Sequence, residues 1–224
     1  MNSLKALALV VVAVAGSTAA LLAQDPLKVD AAHYKLILEN AAVRVLNISY
    51  PAGSKSVMHD HPDSIVVVLN GGKTKFTMPD GTSQVQDMAP KSAMYIPAGK
   101  HLPANEGTAA NLAILVEFKT PAPGKAVLPT SRPNMTLKPL AEGPRASAYL
   151  ATTAPAFAEP AGSTHDFDQV IIALAPIAMS LSIDGKAAKT TWAKGDVAFI
   201  GRGVAHESKN TGGKPAEFAI VAIK

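Results

Sequence analysis

The stretch SVMHDHPDSIVVVLNGG, residues 56–72, sets two histidines on either side of one aspartate and then continues into an apolar strand. Side chains two residues apart on a strand point to the same face, so His59 and His61 project together while Asp60 points away. Two neighbouring imidazoles can begin a metal site, but a stable site needs at least one further ligand. That third ligand must come from another part of the chain.

A related pattern recurs in the second half of the sequence. The tetrapeptide PAGS occupies residues 51–54 and again 160–163, and the segments that follow align His59 with His165. The position of the second histidine of the first copy is taken by Phe167 in the second copy. An internal repeat of this kind predicts two copies of one structural unit.

The repeat also supplies the missing ligand. YIPAGKHLPANEGT (95–108) aligns with FIGRGVAHESKNTGG (199–213), which matches His101 with His206. Of the six histidines, five fall on matched positions and only His33 lies outside them. Histidines that served only as isolated core residues would not align in this way.

The local sequence pattern indicates strands throughout. Short apolar or alternating runs such as SIVVVLN, NLAILVEFK and QVIIALA are separated by the turn sequences NGGK, PDGT and DGKA, which is typical of antiparallel hairpins. We therefore predict an all-β chain with two domains, residues 30–119 and 146–224. The intervening segment 120–145 is rich in proline, which excludes a helix or a central strand. It is predicted to be an extended linker that can also lie along a sheet edge.

The composition excludes several classes of protein. Hydrophobic residues make up 48% of the 224 residues and charged residues 17%, enough apolar material for a packed core and too little charge for a disordered chain. The net charge of +4 comes from scattered lysines and arginines, so nucleic-acid binding is not expected. The absence of cysteine excludes disulfides and thiolate metal ligands.

Residues 1–23 differ from the rest of the chain. One lysine precedes an uncharged apolar run, and a polar Gln-Asp-Pro sequence follows Ala23, as in a secretory signal peptide cleaved near that residue. A cut after Ala19 and an uncleaved anchor are the alternatives. We expect a periplasmic or secreted protein with no membrane contact after removal of the signal.

These motifs resemble those of the cupin family. Gly53, five residues and then His59-x-His61 match the opening of its first motif, and residues 97–105 match its second motif with one residue missing before His101. The resemblance covers nearly all of the mature chain. It implies a small bicupin, with two cupin-type antiparallel β-barrel (jelly-roll-like) domains.

The chain departs from the family pattern at the glutamate that completes its first motif. In the first copy the corresponding positions hold Ser64 or Ile65, with Asp63 nearby. In the second copy Phe167 replaces a histidine, and Gln169 stands where the acid would fall. The second domain is therefore predicted to be a degenerate cupin.

The cofactor prediction is one divalent metal ion per chain, bound in the first copy by His101 together with the two histidines of the opening motif. Three neutral imidazoles suit zinc or copper best, with iron, manganese or nickel also open. The second copy offers only His165, Gln169 and His206, which are predicted to form a weak site at best.

Two classes of function remain open. The resemblance implies a metal-dependent dioxygenase, isomerase or hydrolase, whereas a protein that binds a metal or small ligand without turnover is equally consistent with the residues. The expected partner is a small molecule, and a homodimer is allowed. Glu117 and Lys119, near the end of a strand, are predicted to be surface residues, and the only tryptophan, Trp192, is predicted to lie in the core.

Overall fold

The structure, a computed structural model, describes residues 24–119 and 129–224, so the predicted signal peptide lies outside the described residues. The described part of the chain contains one short helix, α1 (Pro26–Val29), followed by seventeen strands. The strands of the first half are β1 (Tyr34–Glu39), β2 (Val43–Tyr50), β3 (His59–His61), β4 (Ser64–Asn70), β5 (Gly72–Thr77), β6 (Ser83–Met88), β7 (Ala93–Ile96), β8 (Gly99–Asn105) and β9 (Asn111–Phe118). Those of the second half are β10 (Met135–Glu142), β11 (Ala146–Thr153), β12 (Asp168–Ala173), β13 (Ile177–Ile183), β14 (Lys186–Trp192), β15 (Val197–Ile200), β16 (His206–Asn210) and β17 (Ala216–Ile223). Among these residues no helix is long and apolar enough to cross a membrane.

The strands form the same arrangement twice. In the first half a sheet of order β1-β2-β9-β4-β7 faces a sheet of order β3-β8-β5-β6. In the second half the corresponding sheets have the orders β10-β11-β17-β12-β15 and β16-β13-β14. The pairings are antiparallel. The predicted all-β fold of two antiparallel barrels is confirmed.

The two five-stranded sheets pack against each other and share one core. Ile65 and Val67 of β4 belong to the same buried cluster as Val170 and Ile172 of β12. Because side chains alternate along a strand, Val66 points the other way, into the interior of the first barrel. A sheet that is buried on both faces needs apolar residues at every position, which explains the unbroken run SIVVVL.

The interior of the second barrel has a core of its own. Trp192 is 2% exposed, packs in the same cluster as Met179 and Leu181, and donates a hydrogen bond from its indole Nε1 to the carbonyl oxygen of Met179 at 2.8 Å. The side chain therefore lies in the core, and its fluorescence reports on the second barrel alone.

The proline-rich segment contributes a strand to the second copy. Within the predicted linker 120–145, β10 forms the edge of the second five-stranded sheet, in the place that β1 takes in the first. Its pairing with β11 shifts register between Pro139 and Ala141. Proline is tolerated at such an edge because no further strand needs its missing amide hydrogen.

The matched asparagines of the two copies have the same structural role. Asn105 donates from Nδ2 to the carbonyl oxygen of Ala109 at 2.8 Å, and Asn210 donates to that of Lys214 at 2.8 Å. In both cases the amide oxygen accepts from the backbone two residues further along. These side chains close the loop before the last strand of each copy.

Candidate metal centre

The three histidines singled out from the sequence converge inside the first barrel. His59 and His61 lie on β3, and His101 on β8 pairs directly opposite His59. The ring centroids are 4.8–5.3 Å apart, and one ligand nitrogen from each ring lies within 4.8 Å of the others. The short antiparallel pairing of β3 and β8 is what brings the third imidazole to the first two.

The environment of His59 determines which of its nitrogens is free to bind a metal. Its Nδ1 lies 2.8 Å from the carbonyl oxygen of Val57, and a carbonyl can only accept, so Nδ1 carries the hydrogen. The lone pair is then on Nε2. The hydroxyl of Tyr34 lies 2.9 Å from that nitrogen and donates to it. The buried phenol of β1 thus borders the metal-binding atom directly.

His61 is oriented by a buried carboxylate. Its Nδ1 donates to Oε1 of Glu117 at 2.6 Å, which leaves its Nε2 lone pair for a metal. The other oxygen of Glu117 accepts from Nε of Arg44, whose guanidinium also pairs with Asp25 at 2.9 Å. Burial would raise the pKa of Glu117, but hydrogen bonds from His61 and Arg44 hold it below its usual value.

The prediction that Glu117 is a surface residue is wrong. The side chain is 1% exposed, because β9 is a central strand of its sheet and Glu117 lies on the face opposite the shared core. The signal in the sequence is the single acid within the apolar run NLAILVEF, since a charge inside a buried strand needs partners. Lys119, by contrast, forms a half-exposed ion pair with Glu39 at 2.9 Å.

Two histidines of the trio, His59 and His101, are held in the neutral form that metal binding requires. Burial, followed by the neighbouring His61 and His59, lowers the pKa of His101 to about 3. Burial is also the main cause that lowers the pKa of His59. Three converging imidazoles, two of them with Nδ1 already committed, are a donor set that fits a divalent transition metal.

The acids near the first motif do not join this group. Asp63 accepts a hydrogen bond from the backbone N of Ala98 at 2.8 Å and lies 4.0 Å from Arg145. It therefore caps the turn between β7 and β8. In the second copy Asp168 accepts from the backbone N of Arg202 at 2.8 Å in the same way.

The space beside the trio is small. A cavity of about 60 Å³ adjoins His61 and His101 and is otherwise lined mainly by apolar side chains, among them Val66 and Leu115. Pockets that hold organic ligands are several times larger, so this space suits water or a very small ligand.

A second group of potential ligands lies in the second barrel. Among the described residues, Glu159, His165 and His206 place one ligand atom each within 4.8 Å of the others. Gln169 was predicted to be a weak ligand of the second site. It is buried and lines the adjoining cavity but is not part of this group. The carboxylate of Glu159 was missed.

The internal repeat explains why Glu159 is not found from the sequence. The backbone N of Glu159 donates to the carbonyl oxygen of Ser208 at 2.8 Å, two residues after the matched histidine, and Ser56 donates equivalently to Pro103 at 2.9 Å. Glu159 is therefore the spatial counterpart of Ser56. The second PAGS, residues 160–163, is an additional turn and not the counterpart of the first, so aligning the two tetrapeptides shifted the copies against each other.

Glu159 is strongly held as a carboxylate. Its Oε1 lies 2.5 Å from a guanidinium nitrogen of Arg132, and its Oε2 accepts from the hydroxyl of Ser208 at 2.9 Å. Burial would raise its pKa, but the His165 ring, the charge of Arg132 and the nearby His206 lower it to about 2. The second copy thus contains a buried anion that the first copy lacks at this position.

Comparisons with known proteins identify the fold. No family model matches the sequence, and no curated protein matches it. Among solved structures, the chain is similar to AerE from Microcystis aeruginosa, with a TM-score of 0.64, 13% identity, and coverage of 86% of this chain and 97% of the other. It is also similar to a cupin 2 conserved barrel domain protein from Leptotrichia buccalis, with a TM-score of 0.55, 13% identity, and coverage of 85% and 88%.

The chain has the cupin fold. A salicylate 1,2-dioxygenase from Pseudaminobacter salicylatoxidans is a further structural neighbour, with a TM-score of 0.64, 7% identity, and coverage of 84% of this chain and 76% of the other. At such identities the likeness extends to the cupin fold and not to a particular reaction, so function must be argued from the site.

Proposed function

We propose that this cupin binds one divalent metal ion in its first barrel, through Nε2 of His59, Nε2 of His61 and one ring nitrogen of His101. The observation that carries the proposal is the commitment of the Nδ1 atoms of the first two rings to Val57 and Glu117. Both rings thereby direct a lone pair towards His101. A set of purely structural histidines would not need all three lone pairs to converge.

A metal held by three neutral imidazoles keeps its full double charge and open coordination positions, so it acts as a Lewis acid and lowers the pKa of bound water. The affinity order of imidazole sites favours zinc or copper over nickel, iron or manganese. The protein orients the imidazole rings that would bind the metal. Glu117 keeps the Nδ1 hydrogen on His61, and the surrounding apolar residues limit the access of water.

The size of the adjoining space favours binding over conversion of an organic substrate at this centre. A cavity of about 60 Å³ accepts water or a molecule of similar size, whereas pockets for organic ligands are several times larger. A metal-dependent dioxygenase, isomerase or hydrolase is the second candidate. It is favoured by the hydroxyl of Tyr34, a proton donor only 2.9 Å from Nε2 of His59.

The proposal includes export. The apolar segment at residues 1–23 has the layout of a signal peptide, so the protein would acquire its metal in the periplasm or outside the cell. Zinc and copper are the ions that its donor set would then select.

The experiment is a metal count on the full mature chain, stripped with chelator, reloaded with Zn²⁺ and analysed by elemental mass spectrometry. His101→Ala should lower the zinc content by one equivalent per chain. The matched control is His33→Ala, which removes a histidine that pairs with Asp30 at 2.6 Å outside the trio and should leave the content unchanged. An unchanged content in folded His101→Ala protein would refute the proposal.

A further inference from the structure

We propose that the second barrel contains a separate metal site formed by Glu159, His165 and His206. It lies at the polar end of a cavity that accepts a small, mainly apolar molecule with one metal-binding group. The site does not depend on the histidine trio of the first barrel.

His206 and Glu159 face each other in the interior of the second barrel. Nδ1 of His206 donates to the carbonyl oxygen of Val204 at 3.0 Å, so in the neutral ring the lone pair is on Nε2. His206 is 3% exposed, and its Nε2 has no hydrogen-bond partner within the described part of the chain. That nitrogen faces Oε2 of Glu159 at 3.5 Å. Two acceptors that face each other in a buried site repel, and a cation bound between them would satisfy both.

The second carboxylate oxygen lies close to the other ring. Oε1 of Glu159 lies 3.7 Å from Nε2 of His165 and has no hydrogen-bond partner of good geometry among the described residues. One carboxylate therefore lies between two imidazole nitrogens. Two histidines with one carboxylate are a ligand set that leaves several coordination positions open for a small ligand.

The adjoining space is suited to such a ligand. The cavity has a volume of about 230 Å³, against about 60 Å³ at the trio. Arg132 and Ser208 lie with the ligand group at its polar end, and Gln169 also lines the cavity. The remaining wall is mostly apolar, including Phe157, Phe167 and Ile171. Its volume and lining fit a compact carboxylate with an apolar body, whose anionic group would reach the metal and Arg132.

Arg132 could instead compensate the charge of Glu159 without any metal. Its guanidinium, 37% exposed, pairs with Oε1 of Glu159, and a protonated His206 could complete a purely ionic cluster without any metal. The two explanations differ in the effect of Arg132→Gln. If a metal binds, removing the neighbouring cation should tighten zinc binding at the second barrel roughly three- to fivefold. If the cluster is only ionic, the variant gains no zinc affinity.

The test uses the full mature chain and zinc alone, titrated by calorimetry after chelator treatment. Wild type should bind two equivalents, and Glu159→Gln should bind one. The matched control is Glu207→Gln, which changes the exposed neighbour of His206 on β16 and should still bind two. Trp192, the only tryptophan, verifies by its fluorescence that the second barrel of each variant is folded.

The outcomes separate this inference from the function proposed for the first barrel. Saturation of wild type at one equivalent, with Glu159→Gln also at one and His101→Ala at none, would overturn the second site and leave the first intact. Two equivalents in folded Glu159→Gln protein would overturn it as well.

Benzoate serves as the probe for the cavity. Zinc-loaded wild type should bind it saturably, and Glu159→Gln should lose that binding while it keeps its one zinc ion. Absence of benzoate binding to wild type that holds two zinc ions, or equal binding by both proteins, would refute the ligand assignment.

Discussion

Replacing Glu117 by glutamine isolates the contribution of the buried carboxylate to the first metal centre. Glutamine preserves the shape of the side chain and can still accept from Nδ1 of His61, but it carries no charge. Its amide also places a donor towards Arg44, which already donates to this position. The variant therefore weakens the basicity and the orientation of His61 without touching any of the three metal-binding nitrogens.

The expected magnitude follows from the role of the carboxylate. Removing the partner that orients a metal-bound histidine typically costs 10- to 100-fold in affinity, or about 1.4–2.7 kcal/mol. Glu117 is 1% exposed and 2.6 Å from His61, so solvent cannot replace it. We expect Glu117→Gln to fall within that range. The measurement is the zinc dissociation constant in a Glu159→Gln background, by competition with a chromophoric chelator.

The control is Glu39→Gln, which neutralises a half-exposed glutamate paired with Lys119 and should leave the zinc constant within twofold of the parent. Circular dichroism must show that each variant is folded, because the change also deprives the partly buried guanidinium of Arg44 of a charged partner. A folded Glu117→Gln protein with the affinity of its parent would show that His61 needs no orienting carboxylate.

Three further predictions concern Tyr34, His101 and the shared core. Tyr34→Phe removes the hydroxyl that donates to Nε2 of His59 and so competes with zinc for its lone pair. Zinc should therefore bind up to about fivefold tighter. Weaker binding would instead show that the hydroxyl is an additional zinc ligand. In metal-free protein the unfolded chain takes up a proton below pH 6.5 that folded His101 does not take up until about pH 3. Acidification from pH 7 to 5 should therefore lower the free energy of unfolding by up to roughly 1.4 kcal/mol per pH unit, seen as a falling urea midpoint. His101→Gln should flatten this dependence, and a rising midpoint would contradict it. Ile65→Ala, at 0% exposure between the barrels, should cost about 2–5 kcal/mol, while Ile37→Ala, at 41% exposure, should cost under about 0.5 kcal/mol in the same urea titration.

The features that could be predicted from the sequence are those that short stretches of residues determine. Strand periodicity and turn chemistry indicated the all-β fold, and the spacing within His59-x-His61 required both rings to share a face. The alignment of His101 with His206 placed the third ligand on a matched strand. Each of these inferences depends on residues close together in the chain or on a repeated motif.

The features that were missed depend on the register between distant strands. Glu117 faces Arg44 across β9 and β2, and Tyr34 approaches the trio from β1, which carries no recognisable motif. Glu159 was hidden because the repeated PAGS suggested a wrong alignment. A local turn can recur without marking equivalent positions, and only the hydrogen-bond ladder reveals which residues correspond.

The two barrels differ at one matched pair of strand positions. In the first copy β2 pairs Arg44 with Glu117, and in the second the same register pairs Ser147 with Ala222. Phe167 belongs to the same buried apolar cluster as Ala222, whereas in the first copy Glu117 lies against His61. A buried carboxylate without its histidine and arginine would be an uncompensated charge costing several kcal/mol, and the pair of Ser147 and Ala222 places no charge there.

The two barrels also differ in where their buried anion lies. The strand position of Tyr34 corresponds in register to Leu137 of β10, so the second barrel has an apolar side chain where the first has a phenol. The buried carboxylate of the second barrel lies instead at its polar rim, where Arg132 and Ser208 compensate its charge. Glu159 occupies that rim, which places its two histidine neighbours at the end of an apolar cavity instead of within a closed polar cluster.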